Sequence, residues 1–397
     1  MGLNDAPGGE RVHIGFFGVR NAGKSSVVNA VTGQDLAIVS EFGGTTTDPV
    51  YKAMELLPLG PVTIIDTPGL DDEGTLGLLR LERTRRVLEK VDLGVLVLDA
   101  LRGRSTEDGE LLRLLQERGI PYLTVWNKCD LLSEPLELGE GELAVSARTG
   151  EGIEALKERL ASLRPSETPR VLISDLAGPS DLVVLVVPLD GSAPKGRLIL
   201  PQQQTIRALL ETNAVAVVVR DTGLKTALAA LRTKPKLVVT DSQAFGAVAA
   251  EVPDDVPLTS FSILFARYKG DLECTVRGAA ALDTLRDGDR VLIAEGCTHH
   301  RQCEDIGTVK LPRWIREHTG KAIEFAFSSG TEFPSDLSSY GLVVHCGGCM
   351  LNAREMRFRQ GRALREGTPI TNYGILIAHM RGILKRSLAV FPEFSQG

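Results

Sequence analysis

The stretch RVHIGFFGVRNAGKSSVVNAVTG, residues 11–33, decides the fold of the first part of this chain. An apolar run leads into a glycine-rich turn, and a segment with apolar residues at helical spacing follows. The turn fits G-x-x-x-x-G-K-S, with Gly18, Gly23, Lys24 and Ser25 at the required positions. Glycines let backbone N–H groups surround phosphates, the lysine reaches the outer phosphate oxygens, and the serine hydroxyl binds Mg²⁺. The pattern predicts a strand, a phosphate-binding loop and a helix.

Two further motifs fit the magnesium and γ-phosphate side of such a site. The run VTIIDTPGL places Asp66 and Gly69 after a predicted strand, which supplies a carboxylate near Mg²⁺ and a glycine N–H for the γ-phosphate. The segment SEFGGTTTDPV supplies Thr45 and Thr46, either of which is a candidate to close over the ion. Leu70 stands where Ras-like GTPases place a water-orienting glutamine. We therefore expect slow intrinsic hydrolysis.

The remaining motifs predict that the base is guanine. YLTVWNKCD is a predicted strand that leads into Asn127, Lys128 and Asp130. An aspartate at this point can accept hydrogen bonds from both N1–H and the exocyclic amine of guanine, a donor pair that adenine lacks. AVSARTG then supplies Ser146 and Ala147, which are suited to a backbone contact with the base carbonyl. The order and spacing of all these motifs match a small GTPase domain.

The loop at residues 44–48, Gly-Thr-Thr-Thr-Asp, resembles the G-T-T-R-D switch of the TrmE–Era–EngA group of GTPases, with Thr47 in place of arginine. Potassium-activated members of that group carry an asparagine at the position of Asn21, so the resemblance implies a K⁺ that partly replaces an arginine finger. A turn-compatible residue is the alternative for Asn21. The predicted nucleotide contacts are Gly18, Asn21, Ala22, Gly23, Lys24, Ser25, Ser26, Thr45, Thr46, Asp66, Gly69, Asn127, Lys128, Asp130, Ser146 and Ala147. Among these, the predicted Mg²⁺ ligands are Ser25, Thr46 and Asp66, and the predicted catalytic residues are Lys24, Thr46, Asp66 and Gly69.

Composition limits the remaining functional classes. The 397 residues suggest two or three domains, and 43% hydrophobic with 24% charged residues is ordinary for a globular protein. A formal charge of −6 argues weakly against a nucleic-acid partner, and no apolar run is long enough to cross a membrane. The N-terminal segment lacks the plan of a signal peptide, so we expect a cytoplasmic protein. In that reducing compartment, clustered cysteines favour metal or redox chemistry over disulfides.

The chain after the first domain alternates strands and helices anew. We expect an α/β protein of three domains, in which a P-loop GTPase domain at 1–167 precedes two smaller parallel-sheet domains at 168–262 and 263–397. The middle domain shows no phosphate loop or convergent acidic set. We expect this domain to be a connector that serves as a platform for a homodimer, although its valine-rich strands equally suit an ordinary core.

Two cysteine-bearing loops each follow a predicted strand of the third domain. VLIAEGCTHHRQC brings Cys297 and His299, and GLVVHCGGCM brings His345, Cys346 and Cys349. Loops beyond the carboxyl ends of strands are where sites assemble in open α/β sheets. Soft thiolates select zinc, copper(I) or iron–sulfur clusters. Three cysteines from two loops fit a [4Fe–4S] cluster whose fourth iron takes another ligand.

Alternatives at this site stay open. Structural zinc is one, although the first loop lacks the closely spaced ligand pair that zinc sites usually have, and a thioredoxin-like redox pair is another. His299 and His345 are possible ligands, hydrogen-bond donors to cluster sulfur, or plain loop residues, and Cys303 is a possible spare ligand. Cys129 and Cys274 are expected to be small buried hydrophobes. A solvated face, or an attraction for an anionic cofactor, is expected for the arginines of the next predicted helix, Arg354, Arg357, Arg359 and Arg362.

Cys297-x-His299, then 45 residues, then His345-Cys346-x-x-Cys349 resembles the C-x-H…H-C-x-x-C signature of the HydF family of [FeFe]-hydrogenase maturation GTPases. The resemblance covers essentially the whole chain. It implies a [4Fe–4S] cluster on Cys297, Cys346 and Cys349, and a transient diiron precursor supplied by two radical-SAM maturases and delivered to apo-[FeFe]-hydrogenase. The rival interpretations are an RNA- or ribosome-assembly GTPase of the Era/EngA kind and a zinc-stabilised regulatory GTPase.

Overall fold

The computed structural model describes residues 7–34, 49–68, 83–163, 170–188, 198–296, 305–330 and 332–394. It divides into two compact units, Met1–Thr168 and Pro169–Gly397. Each unit is built from strands that alternate with helices. We describe the two units separately.

The first unit contains one six-stranded sheet. The strand order is β2-β3-β1-β4-β5-β6, and every neighbouring pair is parallel except the edge pair of β2 and β3. The strands are β1 (Val12–Phe17), β2 (Val50–Leu56), β3 (Gly60–Asp66), β4 (Leu93–Asp99), β5 (Tyr122–Asn127) and β6 (Glu142–Val145). The helices whose full bounds are described are α1 (Lys24–Thr32), α2 (Thr106–Glu117) and α3 (Ile153–Ser162).

Helices cover both faces of this sheet, so its central strands are apolar on both sides, as parallel strands usually are. Strand β1 shows this directly, because successive side chains point to opposite faces. Phe16 packs into one hydrophobic core with α1, and Phe17 packs into a second core with residues of α2. Burial on both faces fixes the register of β1 and therefore the place where its carboxyl end delivers the phosphate loop.

The second unit contains two four-stranded parallel sheets. Their strand orders are β10-β9-β7-β8 and β12-β11-β13-β14. The strands are β7 (Leu182–Val186), β8 (Val215–Val219), β9 (Leu237–Thr240), β10 (Leu258–Ser260), β11 (Arg290–Glu295), β12 (Glu324–Ser329), β13 (Leu342–His345) and β14 (Ile370–Asn372). The helices are α4 (Leu200–Glu211), α5 (Leu224–Ala230), α6 (Phe245–Glu251), α7 (Phe261–Lys269), α8 (Leu272–Ala279), α9 (Leu311–Thr319), α10 (Ala353–Arg365), α11 (Tyr373–Met380) and α12 (Leu384–Leu388).

Helix α11 packs between the two sheets of this unit. Ile375 and Ala378 lie in the core under the first of these sheets, while Leu376 and Ile377 lie in a core under the second. An α-helix that is apolar all round is buried on all sides. The two sheets are therefore joined through a shared helix that is buried from Tyr373 to Ala378.

The predicted fold class is confirmed, since a six-stranded P-loop-like sheet is followed by two small parallel sheets. The predicted limits of the second and third domains stay predictions. Helix α7 crosses the boundary at 262/263, and its apolar side chains pack in the core of the β7-containing sheet. Within the described part of the chain, no helix is long and apolar enough to cross a membrane.

Candidate nucleotide and thiolate sites

The phosphate-type loop joins β1 to α1 through two glycines with positive φ. Gly18 has φ 142°, and a Cβ atom there would lie 2.2 Å from the carbonyl oxygen of Val97. Gly23 has φ 87°, and its Cβ would lie 2.2 Å from Nδ2 of Asn127. Both positions thus require glycine for the close approach as well as for the backbone angle. The loop leads directly into the N-terminus of α1, and helix N-termini are ready anion-binding sites.

The candidate magnesium residues lie together at the mouth of the loop. Ser25 Oγ donates to Asp66 Oδ2 at 2.6 Å, and Lys24 Nζ donates to the carbonyls of Gly18 and Val19 at 2.9 and 2.8 Å. Asp66 is only 4% exposed, and its Oδ1 atom has no hydrogen-bond partner among the described residues. Burial raises the pKa of Asp66, against the opposing effects of the Ser25 hydroxyl and Lys24. A cation beside this carboxylate would offset the cost of its burial.

The candidate base-binding residues are tied to the phosphate loop by side-chain hydrogen bonds. Asn127 Nδ2 donates to the carbonyl of Ala22 at 3.0 Å, and its Oδ1 accepts from the N–H of Ala147 at 3.1 Å. One buried amide therefore connects three of the predicted motifs. The ends of β1, β5 and β6 meet at the carboxyl edge of the sheet, which is where such sites assemble.

Lys128 makes a second link between these motifs, and its partner Asp99 is a residue that the sequence interpretation missed. The backbone of Lys128 is left-handed, with φ 71°, and Nζ donates to the carbonyl of Asn21 at 2.8 Å and to Asp99 Oδ2 at 2.5 Å. Asp99 ends β4 and is 5% exposed. An aspartate that ends an apolar strand beside the other motif-bearing strands was the available signal for this residue.

The other predicted nucleotide residues take varied positions. Asp130 lies in a short 3₁₀ helix, and the structure records no hydrogen bond to its carboxylate from any described residue. Ser146 is fully buried and accepts from the N–H of Thr149 at 3.1 Å. Asn21 is exposed and has φ 63°, a backbone angle that by itself favours asparagine. Ser26 is half-buried on α1. Thr45, Thr46, Gly69 and Leu70 lie outside the described residues.

The second site forms where β13 ends. Cys346 continues the pairing of this strand, because its N–H donates to the carbonyl of Ala294 on β11 at 2.8 Å. Its Sγ atom accepts from the backbone N–H of Gly296 at 3.1 Å and of Gly348 at 3.4 Å. Gly348 has φ 62°, which turns the chain between the two cysteines. Backbone donors therefore surround the sulfur of Cys346, as they do around thiolates that bind metal.

His345, the residue before Cys346, is fully buried. Its Nδ1 lies 2.8 Å from the carbonyl oxygen of Cys346, and its Nε2 lies 3.0 Å from Nη1 of Arg359. A guanidinium can only donate, so Nε2 is the acceptor and Nδ1 carries the ring proton. Burial first, and then the positive charge of Arg359, lower the pKa of His345 to about 3. His345 is therefore neutral, with both ring nitrogens engaged within the protein.

The expected solvated face of arginines is wrong for Arg359, which is 2% exposed. Its guanidinium donates to Glu355 Oε1 at 2.7 Å and to the carbonyl of Gly330 at 2.7 Å, and it lies 5.0 Å from the ring centre of Phe333. Glu355 precedes it by one helical turn, so the pair lies on the buried face of α10. This ion pair holds in place the guanidinium that donates to Nε2 of His345. Of the other three, Arg357 is exposed and Arg354 and Arg362 are half-buried.

Lys269 holds the other end of the cysteine loop. It ends α7, is 1% exposed, and donates from Nζ to the carbonyls of Cys349 at 2.9 Å and Leu351 at 2.8 Å. Burial raises the pKa of the Cys349 thiol, and Lys269 opposes that rise. Nothing in the sequence pattern singles out Lys269. Its role depends on the contact between α7 and the loop, which is a tertiary feature.

A buried acidic pair lies near Cys346. Tyr373 donates its hydroxyl to Glu295 Oε1 at 3.2 Å, and these side chains are 7% and 5% exposed. Burial raises the pKa of Tyr373 well above its ordinary value, and the negative charges of Cys346 and Glu295 add to the rise. Tyr373 therefore stays protonated, and the buried carboxylate of Glu295 is the group of this pair that would favour a metal cation near Cys346.

The structure describes two of the three predicted cluster cysteines. Cys346 and Cys349 are free thiols that flank a two-glycine turn. Cys297, His299 and Cys303 lie outside the described residues. The prediction of a small buried hydrophobe is right for Cys274, which is 3% exposed, whereas Cys129 is half-buried, with its Sγ 3.9 Å from a carboxylate oxygen of Glu151.

Comparison with known proteins gives matches in both units of the chain. Residues 13–128 match a family model described as 50S ribosome-binding GTPase. The tRNA modification GTPase MnmE of Bordetella petrii is 37% identical over 155 residues, which are 39% of this chain and 34% of that protein. MnmE of Xanthomonas euvesicatoria pv. vesicatoria is 38% identical over 168 residues, or 41% and 36%. The chain thus spans about a third of the length of the curated relatives it matches.

Among solved structures, an Aquifex aeolicus Era variant bound to GDP·AlF₄⁻ is 18% identical, with a TM-score of 0.36, and the match covers 52% of this chain and 92% of that one.

The second unit matches two further family models. Residues 172–270 match the hydrogen maturase F dimerization domain, and residues 273–390 match the hydrogen maturase F tetramerization domain. These two ranges together cover more than half of the chain and imply self-association. The chain belongs to the hydrogen maturase F family, and its first unit carries a P-loop GTPase domain related to that of MnmE.

Proposed function

We propose that this chain is a GTP-hydrolysing scaffold that binds a [4Fe–4S] cluster, carries a diiron precursor and delivers it to apo-[FeFe]-hydrogenase. Two radical-SAM maturases supply that precursor. Cys297, Cys346 and Cys349 are the proposed cluster ligands. The GTPase domain acts as a switch that times the exchange of partners, because the loops of such domains change their contacts with the γ-phosphate and Mg²⁺ on hydrolysis.

The observation that carries the proposal is the hydrogen bond from the Gly296 N–H to Cys346 Sγ at 3.1 Å. Gly296 immediately precedes Cys297 in the sequence. The described residue that leads into the first cysteine loop therefore contacts a thiol of the second loop. Parallel pairing of β11 with β13 supports this, since both strands end at the same edge of the sheet.

The described donors fit an iron–sulfur cluster. Iron–sulfur clusters are held by cysteine thiolates, and hydrogen bonds to sulfur and solvent exclusion tune their potential. Cys346 has two backbone N–H donors, and Cys349 packs against the apolar core under the β7-containing sheet. A cluster bound here would supply an exchangeable iron position. The residues of the chain hold the loop and exclude water.

Of the two histidines proposed as ligands or supports, His345 has a geometry that favours the supporting role. Its two ring nitrogens already bond to the Cys346 carbonyl and to Arg359. Ligation through Nε2 would break the bond to Arg359 and leave a buried guanidinium with one partner fewer, which is costly. We therefore infer that His345 positions the backbone of Cys346. His299 stays a possible ligand.

The nucleotide site fits GTP or GDP with Mg²⁺. Ser25 and Asp66 together offer a hydroxyl and a buried carboxylate oxygen without a protein partner among the described residues. Mg²⁺ binds such oxygen donors, keeping several waters and taking phosphate oxygens from the nucleotide. Asp130 supplies the proposed guanine contact. The proposal also includes slow hydrolysis, K⁺ stimulation through Asn21 and a cytoplasmic location.

Self-association fits the edge of the first sheet in the second unit. Strand β8 is an edge strand, and its sequence VAVVV carries no charge that would block pairing. Val215 and Val218 are 47% and 45% exposed, and Leu210 on α4 is 58% exposed. We infer that a homodimer forms by antiparallel addition of a second β8 strand. Val218→Lys should yield monomers in light scattering, whereas Lys225→Met on the exposed surface should leave the dimer intact.

Activation of apo-[FeFe]-hydrogenase tests the proposed function. The chain is loaded anaerobically in the presence of both radical-SAM maturases and is then mixed with apo-hydrogenase, after which hydrogen evolution is measured. Cys346→Ser should abolish activation, and Cys274→Ser, a buried thiol outside the site, should retain it. Activation that survives Cys346→Ser would overturn the proposal. GTPase activity stimulated by ribosomal RNA would instead favour the assembly-factor alternative.

A further inference from the structure

Three side chains from three separate segments meet on the surface of the second unit, away from the cysteine loop in sequence. Asp283 lies in a 3₁₀ helix, Ala280–Thr284, while His318 and His379 lie in the last turns of α9 and α11. Asp283 Oδ1 is 2.9 Å from Nε2 of His318, and Oδ2 is 2.8 Å from Nε2 of His379. The proposed GTPase and the thiolate site use none of the three.

Their separations suit a shared metal ion. The candidate ligand atoms of the three residues all lie within 4.8 Å of one another. Ligands about 2.1 Å from a metal and at right angles to each other are about 3 Å apart, close to the two nitrogen–oxygen distances observed. Two imidazoles and one carboxylate are a common donor set for divalent transition metals that keep open positions.

The hydrogen bonds leave the ring nitrogens free to switch roles. Both Nε2 atoms now face the carboxylate, and neither Nδ1 atom has a recorded partner among the described residues. The ring proton of each histidine can therefore move to Nδ1, which frees the lone pair on Nε2 for a metal. The hydrogen bond from His318, and then that from His379, lower the pKa of Asp283 and keep it anionic.

The helix ends favour positive charge at this point. His318 and His379 are in the C-terminal turns of α9 and α11, which have nine and eight residues. Unsatisfied carbonyls give a helix C-terminus a partial negative charge, so cations there are stabilised. The negative ends of two helices and one carboxylate therefore meet at this point. An ordinary surface ion pair, by contrast, has one anion and one cation.

The site is open to solvent. The side chains of Asp283, His318 and His379 are 53%, 30% and 23% exposed, so an ion can enter without local unfolding. We propose that Asp283, His318 and His379 bind a divalent transition-metal ion of the zinc, cobalt or nickel type with nitrogen and oxygen ligands. Water completes its coordination.

Fluorescence of Trp314 offers a local readout. Trp314 lies one turn before His318 on α9, and Trp126 in the first unit is the second of the two tryptophans of the chain. The full-length chain with Trp126→Phe is titrated with Co²⁺, whose unpaired electrons quench a nearby indole. Absorption from sulfur-to-cobalt charge transfer is recorded in parallel, since it reports binding at thiolates and nitrogen or oxygen ligands do not produce it.

We expect saturable quenching by one Co²⁺ per chain, with a titration curve that differs from that of any charge-transfer band. His318→Gln, His379→Gln and Asp283→Asn should each weaken binding at least about 100-fold, since loss of even an outer-shell partner costs about 10–100-fold. The matched control is His13→Gln, because His13 also lies beside an aspartate, 3.6 Å from Asp92, and no second histidine of the described part of the chain joins that pair. This control should bind Co²⁺ like the parent.

Two results would overturn the proposal. One is quenching that is unchanged in the His318→Gln and His379→Gln variants, and the other is quenching that appears only together with the sulfur band. If a variant fails to fold, X-ray absorption of the Zn²⁺-loaded parent decides, because imidazole scattering beyond the first shell supports the site and pure sulfur scattering refutes it. Absence of any bound ion in the parent leaves a hydrogen-bonded surface triad and refutes the proposal.

Discussion

Two glycines at the two ends of α1 allow a matched test of the nucleotide site. Gly23 and Gly33 both have positive φ, 87° and 64°, so alanine is strained at each. A Cβ atom at Gly33 meets nothing within 4 Å, whereas one at Gly23 lies 2.2 Å from Nδ2 of Asn127. Gly33→Ala therefore measures the backbone cost alone, and Gly23→Ala adds displacement of the Asn127 amide.

The expected difference follows from the bonds of that amide. The left-handed conformation costs a residue with a Cβ about 1 kcal/mol, and this applies to both variants. Ordinary van der Waals contact in Gly23→Ala requires Asn127 to move by more than 1 Å, since the contact starts at 2.2 Å. Its bonds to Ala22 and Ala147 are then lost, at about 1 kcal/mol each. About 2 kcal/mol of lost preorganisation corresponds to a roughly 30-fold weaker affinity for GTP.

Equilibrium binding of a fluorescent GDP analogue, with urea unfolding of the same samples, measures both quantities. Gly33→Ala should lose about 1 kcal/mol of stability and keep the parental affinity. Gly23→Ala should lose affinity for the nucleotide as well. If Gly23→Ala binds nucleotide as tightly as Gly33→Ala, the Asn127 amide does not organise the site and the reasoning is refuted.

Three further predictions concern charge and cations. The pKa of His345 is about 3 in the fold and 6.5 ordinarily, so the unfolded metal-free chain binds one proton more between these values. The free energy of unfolding of the parent should therefore fall by about 2 kcal/mol from about pH 7 to pH 5. Urea unfolding should show that His345→Gln lacks this part of the fall. An equal pH dependence in both proteins would contradict the buried neutral histidine. Lys269→Met removes two hydrogen bonds to the cysteine loop and should cost at least about 2 kcal/mol in thermal unfolding, whereas the exposed Lys225→Met should cost under about 0.5 kcal/mol; similar losses would refute the anchoring role. GTP hydrolysis should be faster in K⁺ than in Na⁺, and Asn21→Gly, which keeps the positive φ, should remove that difference; equal rates in the parent would eliminate the potassium role.

Local sequence motifs were enough to predict most of the nucleotide site in the first unit. Gly18 and Gly23 could be predicted because close backbone approach leaves a direct mark on the sequence. Asp66 and Asn127 end apolar strands, and the carboxyl ends of neighbouring parallel strands bring such residues together. The order of the motifs was enough to predict a P-loop sheet without knowledge of any tertiary contact.

The surroundings of the thiols could not be predicted in the same way. Arg359 was expected to be solvated, because a run of arginines on a helix usually is. It lies instead on the buried face of α10, where it donates to His345. Lys269 lies 80 residues before Cys349 and reaches its carbonyl through tertiary packing alone. The triad of Asp283, His318 and His379 likewise combines isolated residues from three segments, and no local pattern signals it.

Anaerobic reconstitution, followed by iron, sulfide and zinc analysis and by EPR of the reduced chain, tests the central claim most directly. The account predicts about four irons and four sulfides per chain with an S = 1/2 signal. Cys346→Ala should lose the sulfide and the signal, while Cys274→Ala, a buried thiol of the same unit, should keep both. Stoichiometric zinc bound to sulfur, with no sulfide and no signal, would contradict the cluster scaffold and leave a GTPase with a structural metal.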